Sequence, residues 1–280
     1  MGATQYILSG LGIFALGWIL YKVIDESVQV TKIIFNYSTQ YRFKHLWHRH
    51  MIRRPLKEKY RVILQDYFIY YLKLGEEDKQ LFEKRLQQFI DMKEFIVRSK
   101  SLTLSDEMIV LISASAIQLT FGFPGIYFTH FQRILIYPDN YYSLITQKYH
   151  QGEVNRAGII VLSWKNFLSG YTDRTDGRNL ALHEMAHALL LEDKIVNGEY
   201  EFLSRRHLRA WDLLATMEME RIRNGQSIFR EYGATNRYEF FAVAIEIYFE
   251  KPYELNAYSP QLYRTLSNLL NQDIIKLHSA

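Results

Sequence analysis

The sequence predicts an α+β fold, mostly helical with a small mixed sheet, preceded by an N-terminal transmembrane helix. Three observations predict it. Apolar residues recur at helical spacing over several stretches, two short runs are rich in β-branched residues, and the first 21 residues carry no charge. At 280 residues and 48% hydrophobic, the chain can bury a full core. A formal charge of +4 is too mild to argue for nucleic acid as a partner. The chain has no cysteine, which excludes disulfides and thiolate metal sites. Any transition metal must therefore be held by histidine and carboxylate.

Taken in order, residues 6–21 are nearly all apolar, with Tyr6, Trp18 and Tyr21 near the ends where interfacial aromatics belong. Lys22 can snorkel, so residues 1–25 are expected to form a single membrane anchor. A cleaved signal peptide lacks its basic leading region here, and a buried core helix is the other rival. Residues 26–58 form a basic linker containing Arg42, Lys44, Arg49, Arg53, Arg54 and Lys57. The positive-inside bias then places the remaining domain, 59–280, on the cytoplasmic side of the inner membrane. His45, His48 and His50 lie in that linker with no carboxylate nearby in sequence and are read as surface residues. Basic residues beside an anchor favour anionic headgroups over nucleic acid.

Residues 59–74 and 76–97 both show helical apolar spacing, with Gly75 between them marking a helical hairpin. Ser105 is the expected N-cap of a third helix running through Ile112, Ala116 and Leu119 to Gly122. The β-branched runs at 133–137 and 158–164 read as strands. The second lies just upstream of the stretch that carries chemistry, and it is expected to border a cleft and pair with an extended peptide.

That stretch is His183-Glu184-Met185-Ala186-His187. On a helix, His183 and His187 stand one turn apart on one face, so both imidazoles can converge on one cation. Glu184 sits beside them, placed to take a proton from a water and return it to a leaving amine. This is the zincin arrangement for peptide-bond hydrolysis with Zn²⁺. Chance alone produces such a pattern in a chain of this length on the order of 1% of the time, but rarely inside a strongly apolar helix. Two histidines need another ligand and an open position. Glu239 and Glu246 lie on one face of an apolar helix that Thr235 or Asn236 can cap. From the residues alone, either is the ligand and the other a partner behind a coordinating histidine.

Several motifs carry a resemblance. They are Leu104-Ser-Asp-Glu-Met108, Val161-Leu-Ser-Trp164, Gly177-Arg-Asn-Leu-Ala-Leu-His-Glu-Met-Ala-His187 and Tyr232-Gly-Ala-Thr-Asn-Arg-Tyr-Glu-Phe-Phe-Ala-Val243. Over about residues 59–266 the chain resembles the Mlc titration factor A family of zinc-dependent peptidases, zincins with a lethal-factor-like catalytic domain. The resemblance implies that Glu239, not Glu246, is the third zinc ligand. It also implies that Tyr232 stands beside the metal, where its phenol can hydrogen-bond a developing oxyanion. Two features depart from the family. The Lys-Leu-Asp that usually follows the second histidine is replaced by Ala188-Leu189-Leu190, so that acidic role is either absent here or shifted to Glu192 or Asp193. His150 does not match the spacing of an upstream histidine found in some members. The expected partners are a peptide or protein substrate, and the family name adds a rival reading. In that reading the chain binds a transcriptional repressor or other regulator and zinc is mainly structural.

Overall fold

In the computed structural model, which describes residues 54–143, 147–172 and 176–279, the chain opens with α1 (Glu58–Tyr67) and the short α2 (Ile69–Leu72). The single helix expected over 59–74 is broken at Phe68, whose backbone (φ −114°, ψ 87°) leaves the helical region. The break turns the Phe68 ring into the core against Phe82 and Tyr171, at centroid distances of 5.9 and 6.0 Å. Next comes α3 (Glu76–Met92), which stops short of the expected 97. Its last expected residues instead form β1 (Glu94–Val97), because Phe95, Ile96 and Val97 find a parallel partner further along the chain. The crossover is α4 (Asp106–Thr120), capped as expected by Ser105, whose hydroxyl accepts from Met108 N at 3.3 Å.

The strands that follow are β2 (Arg133–Tyr137), β3 (Tyr141–Ser143), β4 (Lys148–His150), β5 (Gly152–Asn155) and β6 (Ile159–Ser163). Four of them make a mixed sheet in the order β1-β2-β6-β5, with β1, β2 and β6 parallel and β5 antiparallel on the edge. β3 and β4 pair separately as a hairpin. Strand β6 pairs on both sides, with β2 and with β5, so all its ladder groups are in use. The expectation that this run meets a peptide is therefore corrected: the sheet edge beside β6 belongs to β5.

The rest is helical: α5 (Trp164–Thr172), α6 (Leu180–Glu192), α7 (Arg205–Arg223), a 3₁₀ turn at Glu231–Ala234, α8 (Arg237–Glu250), α9 (Pro252–Tyr258), α10 (Pro260–Leu270) and α11 (Ile274–Ser279). Helices α4, α6 and α8 are apolar on almost every face and are buried accordingly, α6 lying between the other two. The end of α4 is closed by Arg85, a fully buried side chain of α3. Its guanidinium donates to the carbonyls of Thr120, Phe121, Phe123 and Ile126 and to Thr120 Oγ1, all at 2.9–3.1 Å. Carbonyls left over where a helix stops are satisfied this way without water.

The expected single-pass placement in the inner membrane is corrected. Among the described residues no helix is long and apolar enough to cross a membrane. The stretch 1–25 on which that expectation rested, and the linker up to residue 53, lie outside the described residues.

Candidate metal centre

Both helices of the site start with an asparagine. Asn179 Oδ1 accepts from Leu182 N at 3.0 Å at the start of α6. Asn236, rather than Thr235, caps α8, its Oδ1 accepting from Tyr238 N at 2.9 Å and Glu239 N at 3.1 Å. Two residues before the first cap, Gly177 takes φ +73°, and a Cβ there would stand 2.5 Å from Ile247 Cδ1 of α8. With α6 and α8 so aligned, the first turn of α8 faces the middle of α6.

The facing brings three of the expected residues together. His183 Nε2 lies 3.0 Å from Glu239 Oε2, His187 Nε2 lies 3.1 Å from His183 Nε2, and His187 Nε2 lies 3.3 Å from Glu239 Oε2. Donors about 2.0–2.2 Å from a tetrahedral ion stand about 3.3–3.5 Å apart, so a triangle of this size needs little adjustment to close on one. Among the described residues no other trio of histidines and acids brings its donor atoms into such a group. Two imidazoles and a carboxylate, with no sulfur, suit zinc or a neighbouring first-row divalent ion.

Electrostatics point the same way. Burial alone would lower the pKa of His183, but its hydrogen bonds to Glu239 and Glu246 outweigh it and push it up to about 10. Burial would raise Glu239 as well, yet the two histidines hold it far below the usual carboxylate range. The cluster thus draws a positive charge to the point where the three donor atoms meet, as a cation site must.

Glu246, the second acid of α8, is not in the triangle. It lies behind it, 1% exposed, with Oε1 accepting from His183 Nδ1 at 2.6 Å. That contact fixes the ring and leaves Nε2 free to coordinate. Arg230, absent from the residues expected at the site, grips Glu246 with both terminal nitrogens, Nη2 to Oε1 at 2.6 Å and Nη1 to Oε2 at 2.9 Å. Of the two alternatives for the acidic role after the second histidine, the shift to Glu192 or Asp193 is not what the structure shows. Glu192 accepts from Thr129 Oγ1, His130 N and Asn197 Nδ2, and Asp193 from Leu203 N, so both tie down loops beyond the end of α6.

Glu184 is buried, and burial pushes its pKa up. It abuts Gly152 on the edge strand so closely that a Cβ there would stand 2.5 Å from Glu184 Oε1. Tyr232, in the 3₁₀ turn, holds its ring 6.0 Å from that of His183 and remains 51% exposed to the cleft. Burial of its inner half, together with Glu239, pushes its pKa up to about 12, so the phenol keeps its proton. These residues line one cleft of about 470 Å³, bounded on one side by β5 and on the other by Leu190, Leu191 and Tyr238. His150 lines the same cleft but stands outside the donor triangle.

The class defined here is an α+β domain whose two packed helices gather a His-His-Glu donor set beside a buried acid and an open sheet edge. A family model described as glucose-regulated metallo-peptidase M90 matches residues 43–270, and the chain belongs to that family. A Synechocystis protein described as uncharacterised is 30% identical over 235 residues, covering 78% of this chain and 85% of that one. Mlc titration factor A of Edwardsiella ictaluri is 24% identical over 226 residues, 71% of this chain and 82% of its own. Mlc titration factor A of an Escherichia coli strain is 29% identical over 169 residues, 54% and 63% respectively. A metallopeptidase family implies a metal ion, and the His183, His187 and Glu239 donors fit one.

Proposed function

We propose that the chain is a zinc-dependent peptidase, with residues 59–280 as its catalytic domain and His183, His187 and Glu239 as the ligands. The donor triangle carries this reading, with Glu184 buried beside it. When bound, zinc supplies Lewis acidity toward the substrate carbonyl and lowers the pKa of a coordinated water. The chain's own residues do the rest. Glu184 takes a proton from the attacking water and returns it to the leaving amine. Its raised pKa brings it closer to the range where it can do both. Tyr232, still protonated at neutral pH, donates a hydrogen bond to the developing oxyanion of the substrate carbonyl. An extended peptide adds to the β5 edge, which places its backbone across Gly152 and hence over Glu184.

Metal analysis and peptide cleavage on the same preparations test this. Glu184→Gln is expected to keep about one zinc per chain and lose turnover by at least ~10³-fold. His183→Ala and Glu239→Ala are expected to lose the metal. Wild-type turnover in Glu184→Gln would remove that residue from the mechanism. Full metal occupancy in Glu239→Ala would remove it from the ligand set.

The name of the relatives, Mlc titration factor A, supports a second reading in which the chain binds a regulatory protein. A regulator retained by the metal-stripped Glu184→Gln chain would favour binding over catalysis.

A further inference from the structure

We infer that Arg230 is a positioning residue for the metal centre: its guanidinium clamps the Glu246 carboxylate against His183 Nδ1 and thereby fixes the direction of the Nε2 lone pair. The inference rests on the metal-site reading above and adds to it a residue outside the ligand set.

Glu246 sits in the middle of α8 among Val243, Ala244, Ile245, Ile247 and Tyr248, all buried. A carboxylate in such surroundings is costly unless it is paired and fully hydrogen-bonded. Here it is both. Oε1 takes His183 Nδ1 at 2.6 Å and Arg230 Nη2 at 2.6 Å; Oε2 takes Asn179 N at 2.7 Å and Arg230 Nη1 at 2.9 Å. Four donors thus meet the four lone-pair directions of the carboxylate. Arg230 supplies two of them, in the parallel fork that lysine cannot reproduce.

Arg230 also fixes where the carboxylate stands. Nη1 donates to Gly177 O at 2.9 Å, just ahead of the cap of α6. One planar group therefore joins the entry to α6, the middle of α8 and, through Glu246, the first histidine of the ligand pair. Arg230 is also the residue before the 3₁₀ turn that carries Tyr232, with its guanidinium carbon 6.0 Å from that ring. A rigid guanidinium here sets the histidine and the phenol from the same anchor. Removing the fork leaves Glu246 to the single donor Asn179 N and the His183 ring, which is then free to tilt away from the point His187 and Glu239 share.

The test is zinc affinity of the full chain at 25 °C, by competition with a chelator, for wild type, Arg230→Lys, Arg230→Met, Glu246→Gln and the Arg230→Met/Glu246→Gln double variant. Circular dichroism establishes that each is folded. Arg230→Met is expected to bind zinc about 10–100-fold more weakly, and Arg230→Lys to fall between it and wild type. The double variant is expected to be no weaker than the weaker single, because both act through one path. Visible absorption of the Co²⁺-loaded Arg230→Met chain is expected to shift, a readout that a purely structural role would leave alone. Should Arg230→Met fail to fold, Arg230→Lys carries the same comparison. Wild-type affinity in the folded Arg230 variants, or losses that multiply in the double variant, would overturn the role of Arg230 alone. A wild-type chain that binds no zinc would overturn the metal-site reading along with it.

Discussion

At Gly152 a single hydrogen separates the edge strand from the acid beneath it. A methyl group there would stand 2.5 Å from Glu184 Oε1, 2.6 Å from its Cδ and 2.6 Å from its Cγ, closer than any real contact. The backbone of β5 is held by its pairing with β6, so Glu184 is the partner that must move. Gly152→Ala is therefore expected to cut peptide hydrolysis at least ~10-fold while leaving zinc bound, since a misplacement of about 1 Å costs up to ~10²-fold. Steady-state rates and metal content measured on the same sample check it; an unchanged rate would mean that Glu184 does not need its present position. The same proximity explains why a glycine opens the edge strand: the backbone approaches the Glu184 side chain where no Cβ fits.

Helices α6 and α8 also meet through polar contacts at the entry to α6, one turn ahead of the donor triangle. There Asn179 N donates to Glu246 Oε2, and Asn179 Nδ2 donates to Glu250 Oε1 at 3.0 Å. The second oxygen of Glu250 is buried with no partner among the described residues, and burial pushes the group up to about 7 from an ordinary 4.5. A raised carboxyl pKa means that the folded chain holds a proton the unfolded chain has released. The stability it confers is full below pH ~4.5 and declines as pH rises to ~7, by about 3 kcal/mol in total. Glu250→Gln has no charge to bury, so it is expected to gain about 2 kcal/mol on wild type between pH 5 and pH 8. Urea unfolding at the two pH values reads the difference; parallel curves would show that Glu250 is not so confined.

These elements also mark what could be read from the chain in advance. His183, Glu184 and His187 were legible because their relation is local, one turn of one helix. The choice between Glu239 and Glu246 was not, since both share a face of α8 and only its packing puts the first at Nε2 of His183 and the second at Nδ1. Strand β5 was missed because Gly-Glu-Val-Asn has no apolar alternation, as suits an edge with one side in a cleft. The false extension of α3 to residue 97 arose because Phe95 and Val97 fit helical spacing as well as strand spacing. Arg230 lies 16 residues from its carboxylate, beyond any local rule. A cation just ahead of a helix that buries two acids was the signal available.

At the scale of the molecule, a metal held by His183, His187 and Glu239 would cross-link α6 to α8. Elsewhere the same job is done by permanent contacts, as where Arg85 ties α3 to the end of α4 with five hydrogen bonds. The metal-dependent link differs in being reversible. A ligand that binds only the folded chain stabilises it by RT ln(1 + [L]/Kd), about 4 kcal/mol when free metal exceeds Kd about a thousandfold. For a domain of this size each kcal/mol moves the melting temperature by about 2–4 °C, so chelation is expected to lower Tm by roughly 10 °C. His183→Ala is expected to melt near the chelated wild type and to ignore added chelator, because the site it would empty is already lost. Arg85→Met, by contrast, is expected to cost about 3 kcal/mol through the carbonyls it orphans and yet to keep the full chelator-induced drop. Differential scanning calorimetry of the three proteins with and without chelator separates the two kinds of link. A wild-type Tm indifferent to chelation would leave the packing of α6 on α8 sufficient by itself.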